Sequence, residues 1–297
     1  MTTSRIGIVL SSGGGRGVYG HTGFMLALEA LEIQISASAG CSAGAVVGGI
    51  AASGADIHSW AEAIIQARTA QFWTPRSTPG LFYDLFLNRG RGLLGLSDTS
   101  APIRFLTEQL AAESFEECIY PFSAVAVNLG DCAKVVFDQG PLAARMMASA
   151  AIPGFYEPVE IDGEYFSDGA TIDLAPIDAI CCQHQLDVLL VHHVAQRNYS
   201  TQELKIAFEQ PWPILNILHR LIYWRRPWYT SGRAREYRRC PCGCKAVVIV
   251  IEPKLPESIW PATTGAANIV EMARLNTHTQ LEPILKSLNA RPWALLK

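Results

Sequence analysis

Gly40-Cys41-Ser42-Ala43-Gly44 follows an apolar stretch and opens a run of small residues from Ala43 to Ala52. That order reads as strand, tight turn, helix. The serine sits at the turn in a strained conformation, with its hydroxyl pointing out. Glycines two before and two after the serine let strand and helix approach where a Cβ would clash. Alone, a G-x-S-x-G match is a weak signal, because small residues are common. Its meaning depends on what else the chain carries.

The first companion lies upstream. Arg5-Ile6-Gly7-Ile8-Val9-Leu10 reads as a short buried strand running into Ser11-Ser12-Gly13-Gly14-Gly15-Arg16-Gly17, and then into a helix over Val18–Leu31. Glycines at a strand-to-helix turn leave backbone N–H groups bare, and the helix N-terminus behind them adds partial positive charge. Such a loop holds a phosphate or the oxyanion of a tetrahedral intermediate. Gly15, Gly17 and Gly20 also match G-x-G-x-x-G, but no acidic residue ends a second strand to meet a ribose, and no Gly-Lys-Ser/Thr follows. The second companion is Asp168-Gly169-Ala170, an acid on a tight turn after Gly163-Glu164-Tyr165-Phe166-Ser167. Beside a serine elbow and a glycine loop it becomes a candidate base.

With these segments in order, the chain resembles the patatin-like phospholipases, in their bacterial branch. The resemblance rests on Arg5 to Gly17, on Gly40 to Gly44, on Ala148-Ser149-Ala150-Ala151-Ile152-Pro153-Gly154 with Pro158, and on Asp168-Gly169-Ala170 leading to Pro176. Ser114-Phe115-Glu116 and the stretch Ser123 to Asn128 add to it, and the likeness covers roughly residues 5 to 195. One departure matters: in register, the family's first loop glycine falls on Ser12. That side chain narrows the pocket and leaves open which amides form the hole.

The resemblance implies a three-layer α/β/α sandwich with a mainly parallel central sheet. It implies a lipid acyl hydrolase of phospholipase A or lysophospholipase type, acting through a Ser–Asp dyad and an acyl-enzyme. Ser42 falls on the nucleophile and Asp168 on the base that contacts it without histidine. Gly13, Gly14, Gly15 and Ala43 are the expected oxyanion donors. Arg16, Gly17, Gly40, Gly44 and Gly169 support them, with Arg16 bracing the loop or meeting a lipid phosphate. The substrate would be a phospholipid or lysophospholipid, with no cofactor and no metal. An aspartate of ordinary pKa, about 3.9, is a poor base for a hydroxyl, so burial beside the serine would have to raise its basicity. The alternatives are a Ser–His–Asp hydrolase or acyltransferase using His192, His193 or His278, and a scaffold that binds lipid or a partner without turnover.

Bulk properties suit an apolar globular protein and not a disordered one. The 297 residues, 49% hydrophobic and 17% charged, suffice for one large α/β domain. A net charge of −3 gives the whole chain no polyanion-binding character. No run approaches a transmembrane helix, and Ile6 to Leu10 is too short for a signal peptide. A cytoplasmic location is expected, peripheral on the inner face of the membrane. Strands and helices alternate: strands at Ile33–Ala37, Ala124–Asn128, Lys134–Asp138, Asp187–Ala195 and Ala246–Ile251, and helices at Ala43–Ala52, Ile57–Ala67, Thr99–Ala112, Leu142–Ala150 and Gly265–Leu281. On the strand Asp187–Ala195, His192 and His193 point to opposite faces. The expected organisation is a catalytic core over 1–200, a basic, aromatic and Cys-rich segment over 201–245, and a strand and helix over 246–297 that complete the same domain.

Three features stand outside that plan. Phe72 to Leu96, rich in aromatic residues, Gly and Pro, reads as a lid or acyl-chain wall, or as packing under a long loop. Pro211 to Arg239 carries an apolar helical stripe through Ile214, Ile217, Leu218 and Leu221, flanked by Trp212, Trp224 and Trp228. From Gln210 to Arg239 seven arginines oppose the single acid Glu236, a net of +6 that leaves −9 for the rest of the chain. We read this as a docking surface in which Arg225, Arg226 and the later arginines meet anionic head groups while the tryptophans insert. The plainer reading is a packed amphipathic helix with a solvated basic loop; nucleic-acid binding is not expected. Finally, the eight cysteines do not form a disulfide framework. Cys240-Pro241-Cys242-Gly243-Cys244 lacks the Cys-x-x-Cys spacing of zinc sites and reads as a thiol-rich surface turn, although its thiolates with Cys182 or His184 could gather one soft metal ion.

Overall fold

The computed structural model describes residues 4–194, 200–209, 213–214, 217, 221, 229, 233, 235–256 and 265–296. Its strands are β1 (Ile6–Leu10), β2 (Ile35–Cys41), β3 (Gly95–Ser97), β4 (Phe122–Asn128), β5 (Ala133–Phe137), β6 (Gly154–Tyr156), β7 (Val159–Ile161), β8 (Glu164–Asp168), β9 (Val188–His192), β10 (Arg235–Arg239) and β11 (Val247–Ile251). The helices that matter below are α1 (Gly14–Ala30), α2 (Ala43–Ala52), α3 (Ile57–Gln66), α4 (Thr78–Phe82), α5 (Ser100–Gln109) and α6 (Leu142–Ala150), with a long C-terminal helix Ala266–Leu281.

One sheet runs in the order β10-β11-β9-β1-β2-β4-β8-β7, with β5 also on β4. The centre, β11-β9-β1-β2-β4, is parallel, and both flanks are antiparallel. Parallel strands are buried on both faces, which explains the continuous apolar runs of β1, β9 and β11. Alternate side chains divide between two cores. Ile8, Leu10, Val188, Leu190, Ile249 and Ile251 face the helices with Phe24 and Ile50. Val9, Leu189, Val191, Val248 and Val250 face the single-turn helices around Ile177 and Ile180, together with Tyr229.

The helices follow from local signals. Asp56 caps α3 by accepting the Ser59 N–H at 2.8 Å, and Ile57, Trp60, Ala61 and Ile64 put one apolar face into the core. Trp60 also donates its indole N–H to Thr22 Oγ1 at 2.9 Å, which ties α3 to α1. Among the described residues no helix is long and apolar enough to cross a membrane.

Several boundaries depart from expectation. α1 begins at Gly14 and not Val18, because the glycine loop itself winds into the first turn despite glycine's poor helix propensity. β2 spans Ile35–Cys41 and not Ile33–Ala37, so the strand runs straight into the elbow. β10 was not expected at all: Arg235–Arg239 is an edge strand on β11, not a basic loop. Its arginines are partly engaged within the protein. Arg238 donates to the Tyr229 carbonyl at 3.1 Å and pairs with Glu236 at 2.8 Å, and Arg235 donates to the Gln280 carbonyl. Phe72–Leu96 divides in two. Phe72 is buried and Trp73 packs on Phe155 and Tyr156, whereas α4 and the wide turn after it leave Phe82, Tyr83, Leu85, Phe86 and Leu87 exposed.

Candidate active site

β4 acts as the ruler of the site. Its first half pairs with β2 and the next residues pair with β8: Cys41 lies opposite Val125, and Asp168 lies opposite Ala126. The residue that follows Cys41 and the last residue of β8 are therefore neighbours in space, 126 positions apart in sequence. Ser42 Oγ donates to Asp168 Oδ2 at 2.7 Å.

The elbow has the backbone that its glycines suggest. Ser42 sits at φ 54°, ψ −119°, a region that a serine enters at an expense of about 1–3 kcal/mol. A Cβ on Gly44 would lie 2.1 Å from the Leu10 carbonyl oxygen, and one on Gly40 would lie 2.2 Å from that of Gly44. Strand and helix close on each other only because both positions lack it. The strained turn is held by Ser149, which was part of the resemblance but was given no role. Its Oγ accepts the Ser42 N–H at 2.9 Å and donates to the Val125 carbonyl at 2.5 Å. Asp168 is held equally firmly. It is wholly buried, and its Oδ1 accepts the Ala170 N–H at 2.8 Å. The chain after it is anchored where Lys134 bridges Asp173 and Asp178, each at 2.6 Å.

The glycine loop meets the elbow through Gly17. A Cβ there would come within 2.8 Å of Ala43 Cβ, so the first turn of α1 lies against the first residue of α2. Gly14 and Gly15 open α1 and Ala43 opens α2, positions whose N–H groups have no acceptor within their own helix. At Ser12, where the family's first loop glycine falls, the N–H is donated to the Leu174 carbonyl at 2.7 Å. Ser12 braces the loop, and its own N–H is not available as an oxyanion donor. Arg16 is half-buried near His193, whose pKa its charge helps to lower.

The three histidines of the alternative triad are engaged elsewhere. His192 Nδ1 lies 2.7 Å from His21 Nδ1 and its ring stacks on Phe24; His193 lies edge-on to Tyr229; His278 pairs with Glu282 at 3.5 Å. His192 and His193 do point to opposite faces of the sheet. Burial pushes His21 down to about 3 and His193 down to about 4, so both are neutral near pH 7. Cys41, next to Ser42, is wholly buried, and desolvation raises its pKa with help from the nearby Asp168 charge, so it stays a thiol. His21 escaped the sequence reading. Its Nε2 lies 2.7 Å from the Ser11 carbonyl oxygen and steadies the start of the glycine loop. Trp212, Trp224, Arg225, Arg226 and Trp228 lie outside the described residues.

Comparison with known proteins bears on the family and the fold. The family model for patatin-like phospholipase matches residues 8–180. An uncharacterised NTE family protein of Mycobacterium tuberculosis is 34% identical over 182 residues, 60% of this chain and 46% of that protein. Lysophospholipase NTE1 of Cryptococcus neoformans is 27% identical over 187 residues, 63% of this chain and 11% of that protein. The chain thus spans at most about half the length of these relatives. The solved structure of human GIVD cytosolic phospholipase A2 superposes with a TM-score of 0.53 at 11% identity, over 96% of this chain and 62% of that one. That likeness concerns the fold. Elbow, glycine loop and Asp168 turn all fall within the matched region, and the chain belongs to the patatin-like phospholipase family.

Proposed function

We propose that this protein is a serine lipid acyl hydrolase of phospholipase A or lysophospholipase type. The observation that carries the reading is the 2.7 Å hydrogen bond from Ser42 Oγ to the buried Asp168. In this reading Ser42 Oγ attacks the ester carbonyl carbon while Asp168 takes its proton. Desolvation strengthens a carboxylate as a base, and Asp168 is shut off from water. The negative charge that develops on the carbonyl oxygen meets N–H groups of Gly13, Gly14 and Gly15, together with that of Ala43. Collapse of the tetrahedral intermediate breaks the ester C–O bond, and Asp168 hands the proton to the leaving alcohol. Water then attacks the acyl-enzyme, gives a proton to Asp168 and releases the fatty acid, and the proton returns to Ser42.

Membrane docking is part of the same proposal. Substrates of this class sit in a bilayer, and among the described residues two groups of exposed apolar side chains suit such a surface. These are Phe82 to Leu87, with Phe86 and Leu87 each 69% exposed, and the described residues Ile214, Ile217 and Leu221 of the basic segment. The protein would act on the cytoplasmic face of the membrane, with Arg225 and Arg226 toward anionic head groups.

The test is release of fatty acid from defined phospholipid and lysophospholipid vesicles by the purified protein and by Ser42→Ala. Release by the wild type alone supports the reading; equal release by both, or none from any lipid or soluble ester, rejects it. For docking, Arg225→Glu with Arg226→Glu should reduce sedimentation with anionic vesicles at low salt and spare hydrolysis of a soluble ester. Unchanged sedimentation rejects docking through these arginines.

A further inference from the structure

Five of the eight cysteines meet at one place, at the edge of the sheet and outside the family match. Cys181 and Cys182 follow the single-turn helix Ile177–Ala179, before β9. Cys240, Cys242 and Cys244 occupy the connection between β10 and β11. Sulfur–sulfur distances are 3.5 Å for Cys181–Cys182, 3.6 Å for Cys181–Cys242, 3.0 Å for Cys182–Cys242 and 3.2 Å for Cys240–Cys242. Cys244 lies within 4.8 Å of Cys240 and Cys242. The expected surface turn is therefore one half of a cluster. Its other half lies about 60 residues upstream, and Cys181 and Cys240 are buried against the second core.

We infer that this cluster is a zinc site of four thiolates, Cys181, Cys182, Cys240 and Cys242, which fastens the β10–β11 hairpin to the turn before β9. Thiols are weak hydrogen-bond partners, and packing four of them together gains little by itself. A zinc ion makes use of that arrangement. With Zn–S near 2.3 Å, a tetrahedral ion spaces its sulfurs by about 3.8 Å. Cys181, Cys182 and Cys242 already form one triangular face near that size; Cys240 lies 3.2 Å from Cys242 but farther from Cys181 and Cys182, and closes toward them when the ion binds. Soft thiolates with no carboxylate among them select zinc over magnesium or calcium. The two halves come from segments that flank the β9–β11 pairing, where the Val247 N–H is donated to the Asp187 carbonyl at 2.9 Å. Lys245 pairs with Asp187 at 2.8 Å beside them. An ion held by both halves would lock the last strand pair in place. The site takes no part in the proposed ester hydrolysis, so its test stands or falls separately.

The experiment is metal analysis of protein purified under reducing conditions without added chelator, followed by cobalt exchange. We expect about one zinc per chain and, with Co2+, the intense thiolate-to-cobalt charge-transfer absorption of a tetrahedral site. Cys182→Ser with Cys242→Ser should lose the metal and melt at a lower temperature, and should still react with a fluorophosphonate at Ser42. Cys244→Ser should keep the metal. A metal-free protein that gains no cobalt spectrum and whose five thiols all react freely would overturn the inference. So would a Cys182–Cys242 disulfide in the fresh protein, or loss of the metal in Cys244→Ser with retention in Cys240→Ser.

Discussion

Ser149 Oγ accepts the backbone N–H of Ser42 at 2.9 Å. The nucleophile's own amide is thereby committed to holding the strained turn and is withdrawn from the set of oxyanion donors. Ser149→Ala leaves that buried N–H and the Val125 carbonyl without their partner, at about 1–3 kcal/mol of stability. We expect a lower melting temperature and a fall in kcat of about tenfold or more, with KM little changed, because the elbow loosens while the substrate-binding wall stays. Thermal melts and steady-state kinetics of Ser149→Ala, with Ser149→Thr as the conservative control, measure both.

The glycine loop is assigned to charge that appears only in the transition state. Gly14 has φ +56° and opens α1, whose Gly17 lies against Ala43. Gly14→Val forces a β-branched residue into that conformation and shifts the neighbouring amides. Turnover should fall by about 10²–10³-fold, the usual effect of losing one oxyanion donor, with a smaller change in binding of a non-hydrolysable lipid. Equal losses in turnover and binding would assign the loop to substrate binding instead.

Asp168 and Ser42 should behave as one unit. Asp168→Asn should reduce turnover nearly as far as Ser42→Ala, by several orders of magnitude. Single replacement of His192, His193 or His278 should leave a folded variant largely active. His192 and His193 are engaged with His21 and Tyr229, and His278 with Glu282. A folded histidine variant as inactive as Ser42→Ala would restore the triad.

The buried histidines set an acid limit on stability. His21 near 3 and His193 near 4 stay neutral in the folded protein, whereas each takes a proton near pH 6.5 once unfolded. Below pH 6.5 the unfolded state binds more protons, so stability is complete above that value and falls as the pH drops toward 4. Acidification from pH 7 to pH 5 should lower the unfolding free energy by about 2 kcal/mol for each of the two. Denaturant melts across that range check it; a flat profile contradicts the burial of these rings as neutral groups.

Much of the site was legible because its determinants are local. The glycines around Ser42, the apolar run into Gly13–Gly17 and the Asp168 turn each announce their geometry within a few residues. What stayed hidden is non-local. The double pairing of β4 brings Cys41 and Asp168 to adjacent positions, and no window of sequence contains it. β10 was hidden because Arg235-Glu236-Tyr237-Arg238-Arg239 shows no apolar alternation; its one inward acid, Glu236, is neutralised by Arg238 on the same strand. The cysteine cluster was partly visible: Cys182 could be named beside the Cys240–Cys244 turn, but Cys181 and the contacts themselves come only through the fold. Ser149 looked like one small residue among several, and its hydroxyl gains a role only where β4 and α2 meet.

The central claim is that Ser42 is the nucleophile, activated by direct contact with Asp168. Its most direct measurement is reaction of the purified protein with a fluorophosphonate probe, read by intact mass and peptide mapping. The account predicts a single adduct on Ser42, formed at least a hundredfold more slowly in Asp168→Asn. An adduct on another serine with Ser42 unmodified, or equal labelling rates with and without the Asp168 carboxylate, would contradict it.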